Sequence, residues 1–288
     1  MSEQLNNYHE QQEASVFNAE DADSRQGIEG VDIGNESSRV GESILENHMQ
    51  EYDHFVGAAH DFVKDKLGMS DVQPLERAAV LSKEIAEQWG VGTNGGHYLP
   101  ELGVAYVFEQ KTGRPKTDKL TLASSLVHEL AHSATVTPEN ARSENVFYHE
   151  AIAGMAEYFA LKNLSDAGEF TQAPDMVLTR NIDGEDVSII VPGDFRRVDA
   201  SETTEGKADS TQALLAAMVV GMGLKITGKS ASEILTVASR SDTTAYDAMK
   251  EAVNSIDPSL SELIEGQEGT TDQIIKVVQK AQQSVGVI

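Results

Sequence analysis

The amino-acid sequence predicts an α+β fold, with a small N-terminal sheet and a mainly helical C-terminal part. Three observations lead there. A run of β-branched and aromatic residues, 103–108, follows a turn signal and reads as strand. Apolar residues recur at helical intervals on both sides of that run. After Asp209 the periodicity is helical to the end.

The first 40 residues carry nine acidic and two basic side chains and few large apolar ones. Such a segment buries too little apolar surface to offset chain entropy, so it reads as a disordered acidic tail. Order is expected from about Glu42. Ile44, Met49, Phe55, Val56, Phe62, Val63 and Leu67 follow helical spacing up to Gly68. His48, His54 and His60 are six apart on this stretch and point about 120° from one another on a helix. They cannot share a metal ion and read as surface or packing residues. A second helix is expected from about Pro74 to Trp89.

Asn94-Gly95-Gly96 signals a turn. Tyr98–Phe108 then supplies one or two strands, with Gly103–Phe108 the strongest part. Thr117 or Asp118 could cap a helix that Pro138 prevents from continuing past about Ala134. The next helix is expected from about Ser143 to Leu164. Met176 to Val191 reads as a hairpin around Asp183-Gly184. Helices follow at about 211–226, 231–239, 243–255, 259–265 and 271–284. Ser230 with Glu233, and Thr270 with Gln273, have the spacing of capping boxes. The chain therefore divides into a tail (1–40), an N-terminal α/β part (41–138) and a mainly helical C-terminal part (139–288).

Composition narrows the function classes. Of 288 residues, 47 are acidic and 22 basic, a formal net charge of −25. That surface repels phosphate backbones and anionic lipid, which disfavours nucleic-acid and membrane partners. The chain has no cysteine, so any metal must sit on His, Asp or Glu. The longest apolar run, Ala213 to Leu224, is too short to span a bilayer and reads as a buried helix. Residues 1–13 are polar and acidic, without the pattern of a secretory leader, and a cytoplasmic location is the expectation.

The chemistry concentrates in Ser125-Leu126-Val127-His128-Glu129-Leu130-Ala131-His132. Two histidines four apart lie one turn apart on the same helix face, where two imidazoles can bind one zinc ion. Glu129 projects beside that face and can accept a proton from water at the metal. Leu122, Leu126 and Leu130, with Ala123, Val127 and Ala131, suit the core-facing side. A catalytic zinc needs a third protein ligand and one open position. Glu150, 18 residues after His132, can come from the start of a second helix. Glu157 lies seven further on, two turns along nearly the same face. One of the two can ligate while the other orients a histidine.

These segments resemble the gluzincin group of zinc peptidases, which includes thermolysin-like and aminopeptidase-N-like enzymes. His149-Glu150-Ala151-Ile152 looks like the Asn-Glu-Ala-Ile run that begins the second motif of the thermolysin-like members. The resemblance covers residues 122–158. It implies a zincin-like fold, one Zn2+ per chain, ligands His128, His132 and Glu150, Glu129 as general base, and a peptide or protein substrate, whose backbone could add to the Tyr98–Phe108 strand as an edge beside the HExxH helix. The pattern departs at Gly154, where thermolysin-like enzymes place an Asp that orients the first histidine; Glu157 is then the residue left for that role. A second alignment sets Ala153-Gly154-Met155-Ala156-Glu157-Tyr158 on the Glu-Gly-x-Ala-x-Tyr run of other gluzincins. It puts Ala153 at the ligand position and leaves Glu150 or Glu157 to compensate. Loop length and helix phase favour Glu150. An oxyanion donor is also required, and no histidine follows His149. Tyr246 is the preferred candidate, ahead of Tyr158, Tyr148, Arg196 and Arg197. The alternative function is a catalytically inactive zincin fold that binds protein or peptide.

Overall fold

The computed structural model describes residues 41–89, 96–109, 115–141, 146–168, 175–193, 208–265 and 271–288. The acidic tail, the proposed cap Thr270, and Arg196 and Arg197 lie outside the described residues. The architecture is α+β, with one small mixed sheet, one hairpin and a large helical part.

A turn of helix over 41–46 and a 3-10 turn, Gln50–Tyr52, lead into α1 (Asp53–Asp61) and a π-helical turn, Phe62–Lys66. The long helix expected from residue 42 to 68 is therefore broken around 47–49. His48 marks the break. Its Nδ1 accepts a hydrogen bond from the Val80 amide at 3.0 Å, and its Nε2 faces Asp53 Oδ1 at 2.5 Å. His54 stacks on Phe55 at the surface and His60 is buried, so the three histidines are packing and surface residues as expected.

The helix expected from Pro74 to Trp89 divides into three pieces. They are a 3-10 turn at Leu75–Arg77, strand β1 (Ala78–Leu81) and helix α2 (Lys83–Trp89). Ala78-Ala79-Val80-Leu81 is buried at every position. A strand covered on both faces reads as an unbroken apolar run, which periodicity cannot distinguish from buried helix. β1 pairs in parallel with β3 (Val104–Phe108), and β2 (Gly96–Leu99) pairs antiparallel with the other side of β3. The strand order is β1-β3-β2. The 104–107 segment is therefore the sheet's centre. Its backbone is paired on both sides, so it offers no edge to a peptide. Among the described residues the antiparallel edge is β2.

Alternate residues of the sheet serve two clusters. Ala78, Val80, Ala105 and Val107 face the main core, while Ala79, Leu81, Val104, Tyr106 and Phe108 face a small one closed by Ile44 and Ala86. Against the main-core face lies α3 (Pro115–Thr135), which carries the HExxH residues and packs its other side on α4 (Val146–Asp166). Leu122, Leu126 and Leu130 are each nearly inaccessible to solvent. The helix ends at Thr135, three residues before Pro138.

β4 (Met176–Ile182) and β5 (Glu185–Val191) form the expected hairpin. Its two-residue turn, Asp183-Gly184, has φ of 55° and 87°, as a type I′ turn requires. Five helices follow: α5 (Ala208–Thr227), α6 (Ala231–Val237), α7 (Thr244–Ile256), α8 (Ser259–Glu265) and α9 (Thr271–Ser284). The Ser230–Glu233 capping box forms at the start of α6. The apolar run 213–224 falls in α5 and is largely buried against α4 and α7. No single helix among the described residues is long and apolar enough to cross a membrane.

One close approach in this part is at Gly154. A Cβ there would overlap the Ala213 carbonyl and lie 3.1 Å from Ala217 Cβ. Gly154 thus lets α5 lie directly on α4, and no room remains at that position for an acidic side chain. Gly154→Ala should cost about 1–3 kcal/mol through overpacking, seen as a fall in Tm of several degrees. Gly221→Ala, on α5 with nothing within 4 Å of the added Cβ, should be neutral or stabilise by up to about 1 kcal/mol.

Candidate metal centre

α3 presents His128 and His132 on one face, one turn apart. Their Nε2 atoms are 3.0 Å from each other. α4 begins close to the end of α3 and points Glu150 at both rings. One carboxylate oxygen lies 3.4 Å from His132 Nε2 and the other 3.7 Å from His128 Nε2. A tetrahedral zinc with bonds of about 2.0–2.1 Å sets its donor atoms about 3.3 Å apart. The three side chains have that spacing, and they form the candidate metal-holding group among the described residues. Their side chains keep 12–26% exposure.

Glu157 is fully buried behind His128, with its carboxylate 3.4 Å from His128 Nδ1. It holds the ring by the nitrogen that does not face the metal position. That contact directs the proton to Nδ1 and leaves the Nε2 lone pair for a ligand. The two carboxylates thus take different places, in the arrangement that loop length and helix phase favour. Glu150 joins the candidate metal-holding group, and Glu157 contacts the first histidine from behind. Gly154, between them, is committed to the crossing of α5.

Glu129 is 6% exposed. Burial raises its carboxyl pKa, against the lowering fields of His128 and His132. β2 passes directly over it. A Cβ at Gly96 would lie 2.9 Å from Glu129 Cγ and 2.5 Å from the Tyr106 carbonyl. Glycine at 96 is what allows the edge strand and the general-base candidate to come so close. The turn signal that includes Gly96 gave no hint of this contact, because the glycine's neighbours are 10 and 33 residues away in sequence.

Electrostatics suit a cation. Burial opposes charge on His128, but Glu157, Glu129 and Glu150 outweigh it and hold the imidazole up to about 9. Burial likewise opposes charge on Glu150, yet His132, His128 and His149 bring its carboxyl down to about 2. Three carboxylates and two imidazoles converge here, and without a metal the cluster keeps a proton on His128.

Comparison of the chain with protein-family models, with curated proteins and with solved structures finds no match. The reading of the centre therefore rests on its own geometry.

The remaining candidates are placed as follows. Tyr246, on α7, is 5% exposed, and its hydroxyl lies 2.8 Å from His149 Nδ1 and 3.4 Å from the Thr135 carbonyl. Its pKa is raised by burial. It is brought up to the neighbour of Glu150 rather than into the ligand group. It also lines a cavity of about 360 Å³ with Thr137, Asn140, Arg240 and Thr243, which contains none of the three candidate ligands. Tyr148 is fully buried, and Tyr158 is half-buried against Phe159. His149, which sequence reading noted only as part of a motif, is buried with its pKa lowered to about 4, first by burial and then by His132.

A proton on His128 must leave before Nε2 can serve a metal with Glu157 holding Nδ1–H. Zinc affinity should therefore rise about tenfold per pH unit from 7 to about 9 and then level. Titration calorimetry in buffers of different ionisation enthalpy should register the released proton. Affinity that is flat above pH 7 would show a histidine of ordinary pKa.

Proposed function

We propose that this chain is a zinc-dependent peptidase, with His128, His132 and Glu150 holding the metal and Glu129 acting as general base. One observation carries the reading. The HExxH histidines and a carboxylate from a second helix meet at tetrahedral donor spacing, with Glu157 behind the first histidine and Glu129 buried at the side. A merely structural pair of histidines needs neither the third donor nor the carboxylate behind the His128 ring.

When bound, zinc supplies a Lewis acid that polarises a scissile carbonyl and acidifies water. The chain's own residues do the rest. Glu129, in its low-dielectric position under β2, takes the proton from the attacking water. It then returns that proton to the leaving amine. The upward push on its pKa matches both duties, because the protonated form must persist long enough to act as an acid. Glu157 keeps His128 in one tautomer. Glu150 balances the cation's charge and leaves one side of it open.

A zincin-like fold belongs to the same proposal. It is supported by a small sheet on the HExxH helix, a second ligand helix, and a helical part packed beyond it. An extended peptide would add to β2, the antiparallel edge that passes over Glu129, with its scissile bond near Gly96. The substrate class is peptide or protein.

Purified chain should contain one zinc per molecule and cleave members of a peptide library. Glu129→Gln should keep the zinc and lose activity by about 10²–10⁴-fold, the usual worth of a general base. Zinc uptake without cleavage by the wild-type chain would instead favour a binding module. Absence of zinc would remove the basis of both.

A further inference from the structure

Tyr246 and His149 lie 97 residues apart in sequence, yet their polar atoms form one of the few buried side-chain pairs outside the ligand cluster. The direction of each hydrogen bond can be worked out. His149 Nε2 lies 3.3 Å from the Asn140 carbonyl, which only accepts, so Nε2 carries the proton. Nδ1 is then an acceptor, and the Tyr246 hydroxyl donates to it at 2.8 Å. A hydroxyl has a single proton, so the Thr135 carbonyl at 3.4 Å does not also receive it. That carbonyl is served by Asn140, whose Nδ2 donates to it at 3.0 Å, while Asn140 Oδ1 accepts from the Thr137 amide at 2.7 Å.

The result is a linked set of bonds: Tyr246 donates to His149, His149 donates to the Asn140 backbone carbonyl, and the Asn140 side chain donates to the Thr135 carbonyl. It joins α7, the first turn of α4 and the C-terminal end of α3. These are the points that fix where Glu150 stands relative to His128 and His132. Residues 136–141, after α3, are otherwise tied through their own turn at Thr137 and Asn140. Metal donors tolerate about 0.2 Å. A hydroxyl committed in this way has no proton to offer an oxyanion.

We infer that Tyr246 is a positioning residue: through His149 and Asn140 it sets the third metal ligand, Glu150, against the HExxH histidines. The inference rests on the metal-centre reading and adds a part to it that neither motif spacing nor the ligand geometry contains. It also replaces the oxyanion-donor role expected for Tyr246.

The test uses the full chain. Zinc affinity is measured by competition with a chromogenic chelator, and peptide cleavage is measured at limiting and at saturating zinc. Tyr246→Phe keeps the ring and removes the hydroxyl. It should weaken zinc binding about tenfold, the lower end for an outer-shell partner, and its cleavage rate should recover when zinc is saturating. Asn140→Ala, at the other end of the chain of bonds, should shift affinity in the same direction and serves if the tyrosine variant folds poorly. Ser255→Ala, which also removes a hydroxyl bonded to the backbone on α7, should leave affinity unchanged. Zinc affinity within twofold of wild type in both Tyr246→Phe and Asn140→Ala would overturn the inference. So would a cleavage defect in Tyr246→Phe that persists at saturating zinc with affinity intact, because that is the behaviour of an oxyanion donor. Failure of the wild-type chain itself to take up zinc would be distinct from either, and would remove the metal-centre reading along with the inference.

Discussion

Two imidazoles one helical turn apart and a carboxylate from a separate helix turn their lone pairs on a common point, and a proton or a metal ion between them offsets that repulsion. Here they are held with donor atoms 3.0–3.7 Å apart, and most of the molecule can be understood as the means of holding them. The cost of gathering three carboxylates and two histidines in a largely dry place is electrostatic. His128 meets it by carrying a proton, which a divalent ion would displace. Such an arrangement is poorly explained as packing, since apolar residues of similar volume would fill the space without burying charge.

The surrounding elements each remove one freedom from this group. The sheet gives α3 a flat apolar bed, and Gly96 lets its edge strand close over Glu129. α5 lies so tightly on α4 that Gly154 has no space for a side chain, which fixes the rotation of α4 about its axis. That rotation turns the face shared by Glu150 and Glu157 toward the histidines, and their separation along the axis decides which one meets both rings. With it fixed, Glu150 stands in front and Glu157 two turns behind. The hydrogen bonds from α7 through His149 then limit sliding along the axis.

How much of this could be read from the sequence depended on distance along the chain. The HExxH face, the second ligand helix, the type I′ hairpin and the C-terminal helices are local patterns, and their boundaries agree with the structure to within a few residues. The sheet was harder. Ala78–Leu81 has no alternation because it is covered on both faces, so it passed for helix; without β1, the segment 104–107 looked like an edge when it is the centre. The close crossing at Gly154 depends on α5, more than 50 residues away. The Tyr246–His149 bond joins residues with no pattern in common. In each case the missing information was a contact between distant segments, which periodicity and spacing do not encode.

Zinc K-edge X-ray absorption on the purified chain tests the central claim most directly. The account predicts one ion per chain with two imidazole nitrogens and carboxylate oxygen in a four-coordinate shell at about 2.0–2.1 Å. The imidazole signal should be lost in a His128→Ala, His132→Ala variant. A shell without imidazole scattering, or one unchanged by that double substitution, would contradict it.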